Sequence, residues 1–505
     1  MKLALPLLAF LALTSAAESA VESKWVPVPK PTPPPVSWKV LLPAARDVNA
    51  LGGLPLRKLI DVPLRDPQIT RGGDGYYYMI GTEMDKNTLP AEVAPNNEKV
   101  SGWEVNGGIP LWRSKDLINW ETMGYAWTFE KDTTWQKGAP NKEGKFRRAI
   151  WAPEIHFIKG NYWIAYSVNF LNAQGKYAGT GLLRSTSGKA EGPYVDTKPD
   201  GPLTPDIDAS LFEDTDGKVY FLYQGYQIAR MKDDMTDLAE PPRKVELKGG
   251  KYLWAEGISL IKANGRYILG HASVPFFNDP ALPETYDCFS AASDSIYGPY
   301  EPMKRTLPHC GHNNFFKDGE GNWWSTYFGT DPFAPFTIRP GVVPVEIDKT
   351  GCVSPKRSYP RPAWKYAEEK RPEGKWMNAD YDDSGWKQGE AAFGEQAISQ
   401  SGPVTLPATQ WKGRFLWLRR AFELDKPVSN PALFLRHCGL NIRIWINGKE
   451  VYSSKQSPND YITIPLPNTI LNAGPNVIAV ECMNAAPNRY VDIGLVESAP
   501  PGTTP

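Results

Sequence analysis

Apolar and polar positions alternate over short runs along most of this chain, and the three-to-four spacing of a helix face is scarce. The runs are rich in Tyr, Trp, Ile and Val and are bounded by Gly, Asp, Asn and Pro, the pattern of strands joined by tight turns. Five of these runs resemble one another. Each opens on a turn ending in Gly and continues as an aromatic strand: Asp74-Gly75-YYYMIGT, Lys159-Gly160-NYWIAYS, Asp216-Gly217-KVYFLYQG, Asn264-Gly265-RYILGHA and Glu320-Gly321-NWWSTYFG. A further strand with polar ends follows each: 109–114, 181–187, 226–231, 288–293 and 336–340.

The turn glycines are 85, 57, 48 and 56 residues apart. Most of these intervals suit one four-stranded antiparallel unit, and the first is lengthened by an insert at about 84–108. Asp-Gly and Asn-Gly predict two-residue hairpins. Five such units around an axis make a five-bladed β-propeller. The fold class expected is therefore all-β, with the propeller spanning 51–360 and a β-sandwich of jelly-roll type spanning 361–500.

Charged residues keep step with the repeat. Asp66, Asp208, Glu256 and His312 each stand nine positions before a turn glycine; in the second unit Trp151 takes that place and Glu154 lies three further on. Equal offsets predict equivalent places on the strand nearest the axis, so these side chains should meet at one end of a central funnel. Three carboxyl groups gathered out of water repel one another. A fold gains nothing from that, whereas glycoside hydrolysis needs one carboxyl protonated and another ionised.

The same residues carry a resemblance. Arg65-Asp66-Pro67 ahead of DGYYY, Trp151-Ala152-Pro153-Glu154-Ile155, Ile207-Asp208-Ala209-Ser210-Leu211-Phe212, Ala255-Glu256-Gly257 and Gly311-His312-Asn313 resemble, in order, the blade motifs of glycoside hydrolase family 43. The resemblance covers roughly residues 55–360. It implies an inverting hydrolase of arabinofuranosides, β-xylosides, arabinans or galactans. By position, Asp66 is implied as general base, Glu256 as general acid, and Asp208 as the carboxylate that orients the acid and raises its pKa. Trp151, Glu154, His312 and Arg339 are implied as substrate contacts. His312 is also the residue that would neighbour a water-ligated structural calcium; no cofactor is required, and no Asp-rich calcium loop is present. Inversion demands carboxyls on the order of 6.5–9.5 Å apart. Ala209 stands where many family members have Pro, and the insert and segment 276–287 are read as rim loops.

Beyond residue 360, alternating strands and an Asn447-Gly448 turn resemble the galactose-binding-like domain of β-galactosidase and related enzymes. The acidic pair usual before its hairpin strand is replaced by HCGLNIRIW, so a structural cap is the expected role. Trp376-Met377-Asn378 lacks the Asp-Pro-Asn-Gly that a retaining, invertase-type site needs. Two alternatives stay open: a galactoside-active hydrolase of the same fold, and a non-catalytic carbohydrate-binding propeller.

Composition narrows the partners. Lys+Arg and Asp+Glu both number 56 in 505 residues, which speaks against nucleic acid; the resemblance implies a carbohydrate partner, and a monomer is expected. Residues 1–17 read as a signal peptide, with Lys2, an apolar run from Leu3 to Leu13, and Ser15-Ala16-Ala17 for cleavage. A secreted or periplasmic protein with no membrane span is expected, with residues 18–50 as a Pro-rich arm. The five Cys are odd in number and lack CxxC spacing, leaving either a bridge such as Cys438 with Cys482 or buried free thiols.

Overall fold

A computed structural model describes residues 39–45, 55–84, 105–138, 148–171, 177–278, 284–331, 334–356, 361–394, 407–458, 461–484 and 489–497. The expected signal peptide and most of the expected arm lie outside these residues, as does most of the 84–108 insert. The described chain is all-β. Its helical segments are Pro275–Asn278 and a single 3₁₀ turn at Trp135–Lys137.

Five antiparallel sheets follow one another in the chain. The first is built of Leu64–Arg71, Tyr77–Glu83, Gly108–Ser114 and Trp120–Thr128. The second runs from Ala149–Ile158 to Tyr194–Asp196, the third from Ser210–Glu213 to Arg243–Lys244, and the fourth from Glu256–Ala263 to Lys304–Leu307. The fifth contains Phe315–Lys317, Trp323–Tyr327 and Gly341–Ile347, and Arg57–Lys58 from the start of the chain completes it. Strand alternation buries both faces of each sheet. In the third, Leu222 packs towards Leu260 and Leu269 of the fourth, while Phe221 packs towards Ala165 and Leu182 of the second. Comparable clusters join first to second through Ile80 and Ile164, fourth to fifth through Ile268 and Val343, and fifth back to first through Phe316 and Met79.

The hairpins ahead of the aromatic strands come in two kinds. Lys159-Gly160 and Asn264-Gly265 are two-residue turns with both φ values positive (51° and 73°; 52° and 79°). In the first, third and fifth sheets the connection is three residues long and ends on Gly75, Gly217 or Gly321 in the left-handed region, so the two-residue turns expected at Asp74-Gly75 and Asp216-Gly217 are corrected. Counted from the last paired residue before the turn, one position repeats in all five sheets. Asp66 lies six before Gly72, Ala152 before Ile158, Asp208 before Asp214, Gly257 before Ala263 and His312 before Asp318. All five have positive φ, between 42° and 61°. Each marks a bend, and in the first, second and fourth sheets the pairing register visibly slips there. Glu256 therefore stands one residue ahead of the place held by Asp66, Asp208 and His312, and shares its position with Arg65 and Trp151.

Two six-stranded sheets occupy the C-terminal part. One contains Ala363–Glu368, Phe415–Leu424, Gly474–Asn484 and Leu440–Ile446; the other contains Pro431–Cys438 and Tyr490–Glu497. They share one core, in which Leu416, Ile444 and Val480 meet Leu433, Ile493 and Leu495. Lys39–Leu42, inside the stretch expected as an arm, pairs with Tyr490–Glu497 as a strand of the second sheet. Cys482 is a buried free thiol, so the bridge with Cys438 considered from the sequence does not form.

Candidate active site

The bends bring Asp66, Asp208, Glu256 and His312 into one electrostatic cluster. Asp66, Asp208 and His312 are buried, and Glu256 is half-buried. Aspartate tolerates the left-handed backbone at positions 66 and 208 better than most residues do. Gly257 has φ +59°, and a Cβ there would come within 2.6 Å of the His312 ring. Only glycine satisfies both the backbone and the close approach.

Hydrogen bonds between neighbouring sheets fix the cluster. The Thr82 hydroxyl donates to Asp66 Oδ2 at 2.7 Å and accepts from the Ala152 amide at 2.7 Å. The Asp208 amide donates to Ser167 Oγ at 2.7 Å, and the Gly257 amide donates to Asp208 Oδ2 at 3.1 Å. Asn314 bonds both backbone groups of Ile69, closing fifth to first sheet. Asp66 Oδ1 is buried and makes no hydrogen bond among the described residues; it faces His312 Nδ1 at 3.4 Å.

Burial, with Glu256 and Asp66 adding to it, pushes Asp208 up to about 7 against the opposing pull of His312. Burial alone would lower His312, but Asp66, Asp208, Glu256 and Glu154 outweigh it and raise the imidazole. The site thus retains a proton near neutrality in a place that also offers an ionisable acceptor.

Two members were not singled out from the sequence. Arg65 is half-buried beside Asp66, Tyr286, Glu256 and Asp208, which together raise its pKa over the cost of burial, and it lies against the Phe328 ring. Tyr286 donates from its hydroxyl to Glu256 Oε1 at 2.6 Å. Arg65 could have been found as the residue occupying the position of Glu256 in the first sheet. Tyr286 arrives from segment 276–287, and no periodicity marks it.

The remaining expected contacts sit differently. Trp151 is half-buried at the position equivalent to Glu256 in the second sheet. Glu154 is buried and accepts from Ser210 Oγ at 2.7 Å, with His156 Nε2 at 3.0 Å, so it ties the second sheet to the third. Arg339 pairs with Asp61 at 3.1 Å. The guanidinium inside the cluster belongs to Arg65. His312 Nδ1 is turned to Asp66, and no group of three metal-ligating side chains occurs among the described residues.

With the geometry in hand, comparison with known proteins identifies the family. The sequence profile of glycosyl hydrolases family 43 matches residues 59–353, and the chain belongs to that family. It is similar to a xylan 1,3-beta-xylosidase of Vibrio sp, 26% identical over 286 residues, covering 52% of this chain and 47% of that protein. A putative beta-xylosidase of Escherichia coli (strain K12) is 26% identical over 291 residues, covering 54% of this chain and 48% of that one. The chain spans about half the length of the curated relatives it matches. Among solved structures, a thermostable family-43 glycoside hydrolase covers 61% of this chain and 98% of its own, at 20% identity and a TM-score of 0.42.

Proposed function

We propose that this chain is an inverting glycoside hydrolase acting on β-xylosides or α-L-arabinofuranosides, and that its first five sheets are the blades of a five-bladed propeller followed by a β-sandwich. The observation that carries the reading is the meeting of Asp66, Asp208 and Glu256 from three different sheets around His312. Family membership and the xylosidase relatives support the substrate class.

In this reading a water attacks the anomeric carbon as Asp66 Oδ1 removes its proton, and Glu256 delivers a proton to the departing glycosidic oxygen. One proton is taken and one given, so the pair is reset by exchange with solvent. Asp208, held by the Gly257 amide, keeps a proton in the site up to about pH 7 and orients the strand segment that bears Glu256. Arg65 and His312 balance the charge left on the carboxylates. Trp151 offers a ring to the sugar. Residues 1–17 act as an export signal.

The test uses p-nitrophenyl β-xyloside, α-L-arabinofuranoside and β-galactoside. Asp66→Asn and Glu256→Gln should each lower kcat about a thousandfold on the preferred sugar, and the first product seen by NMR should be the inverted anomer. Full rates in both variants, or a retained anomer, would falsify the mechanism; turnover of the galactoside alone would favour the galactoside-active alternative.

A further inference from the structure

The two faces of the six-stranded sheet that contains Phe415–Leu424 have different fates. Leu416, Leu418, Ile442, Ile444 and Val480 point into the shared core. The alternate residues point outward and line a cavity of about 660 Å³. Strand register sets them in two rows across three strands: Trp417, Glu481 and Arg443 in one, Phe415, Met483 and Asn441 in the other. Part of the same outer face is covered, where Trp376 packs against Trp445 and Trp386. A second cavity of about 280 Å³, lined by Tyr381 and Trp386, shares Arg371 with the first. The two cavities thus adjoin at Arg371, with Phe415 lining one and Tyr381 and Trp386 the other.

The chemistry of these cavities is selective. The rings of Phe415 and Trp417 stack at 5.5 Å and 15°, and Phe415 keeps part of its ring exposed. Glu481 Oε2 accepts from Trp417 Nε1 at 3.0 Å, so the carboxylate is held in place. Glu369 and Glu481 alternate with Arg371, Arg443 and Lys455, which leaves no single-sign field for a polyanion. The charges also interrupt the apolar surface that a protein partner would need. An apolar ring beside the fixed Glu481 acceptor and exposed cationic donors suits a molecule with apolar C–H faces and hydroxyl edges. Two cavities adjoining at Arg371 suit a chain of such units.

We infer that this face is a second carbohydrate site, binding a linear neutral oligosaccharide on a sheet separate from the carboxylate cluster. The C-terminal module is then more than the structural cap expected from its missing acidic pair. Only the choice of probes rests on the catalytic reading.

The experiment measures retention of the full chain on insoluble arabinoxylan and debranched arabinan, beside kcat/KM on a p-nitrophenyl glycoside. Phe415→Ala and Arg443→Ala should weaken retention about fivefold to tenfold and leave kcat/KM within about twofold. Arg443 is exposed, so its variant guards against misfolding. Retention equal to that of the parent in both variants, or a parent retained no better than albumin on either polymer, overturns the inference. Glu256→Gln separates the two proposals: it should be retained like the parent whatever happens to turnover.

Discussion

His312 Nδ1 faces Asp66 Oδ1 at 3.4 Å across the join of the fifth and first sheets. The contact brings together the first and last of the five left-handed positions. It also sets a charge balance, because the imidazole is raised by the carboxylates and in turn lowers Asp208. Replacing it by a neutral group removes that opposing charge. His312→Gln should therefore raise Asp208 further, and the limb of the kcat/KM pH profile that Asp208 governs should move upward. A profile that keeps its limbs while losing amplitude would mean that His312 acts by packing alone.

Thr82 serves two partners with one hydroxyl, donating to Asp66 and accepting from the Ala152 amide. It is 1% exposed. Thr82→Val keeps the shape and leaves a buried amide without its acceptor, at a cost of roughly 1–3 kcal/mol. Denaturant unfolding should show that loss, and Thr82→Ser should restore most of it together with the rate. An unchanged midpoint in the valine variant would contradict the contact.

The convergence of Asp66, Asp208, Glu256 and His312 could be anticipated because glycine is favoured at a turn where φ is positive, and five such glycines set a ruler along the chain. The ruler has an error of one residue in the second and fourth sheets. Asp-Gly closing a three-residue connection and Asn-Gly making a two-residue turn look alike as letters, yet they displace the strand by one position. That slip is why Glu256 and Trp151 were matched to Asp66 when their true counterpart is Arg65. The pairing of Lys39–Leu42 with Tyr490–Glu497 joins opposite ends of the chain and has no local signature. Tyr286 is equally silent, since a loop side chain reaching a distant carboxylate obeys no period.

Tyr286 bears directly on acid catalysis. Its hydroxyl donates to Glu256 at 2.6 Å and so orients the carboxyl that delivers the proton. Tyr286→Phe should lower kcat/KM roughly tenfold on glycosides whose leaving group needs a proton. With a 2,4-dinitrophenyl leaving group, which departs unprotonated, the deficit should shrink. An equal loss on both substrates would show that Tyr286 positions the sugar and not the acid.

Asp208 illustrates what the site costs the fold. Its carboxyl is raised from 3.8 to about 7 chiefly by burial, with Glu256 and Asp66 adding to it. A raised acid binds its proton more tightly when folded than when unfolded, so between pH 3.8 and about 7 the native state holds the extra proton. Stability contributed by Asp208 is then complete below the lower value and declines as pH rises through the window. Asn mimics the neutral acid, can still accept from the Gly257 amide, and tolerates the φ of 61°. Asp208→Asn should therefore match the parent's stability near pH 3.5 and exceed it by on the order of 2–4 kcal/mol above pH 7, while turnover falls. The measurement is paired denaturant unfolding at the two pH values with the activity of the same samples. A variant less stable than the parent at neutral pH would show that the charged carboxylate is held by its neighbours and carries no strain.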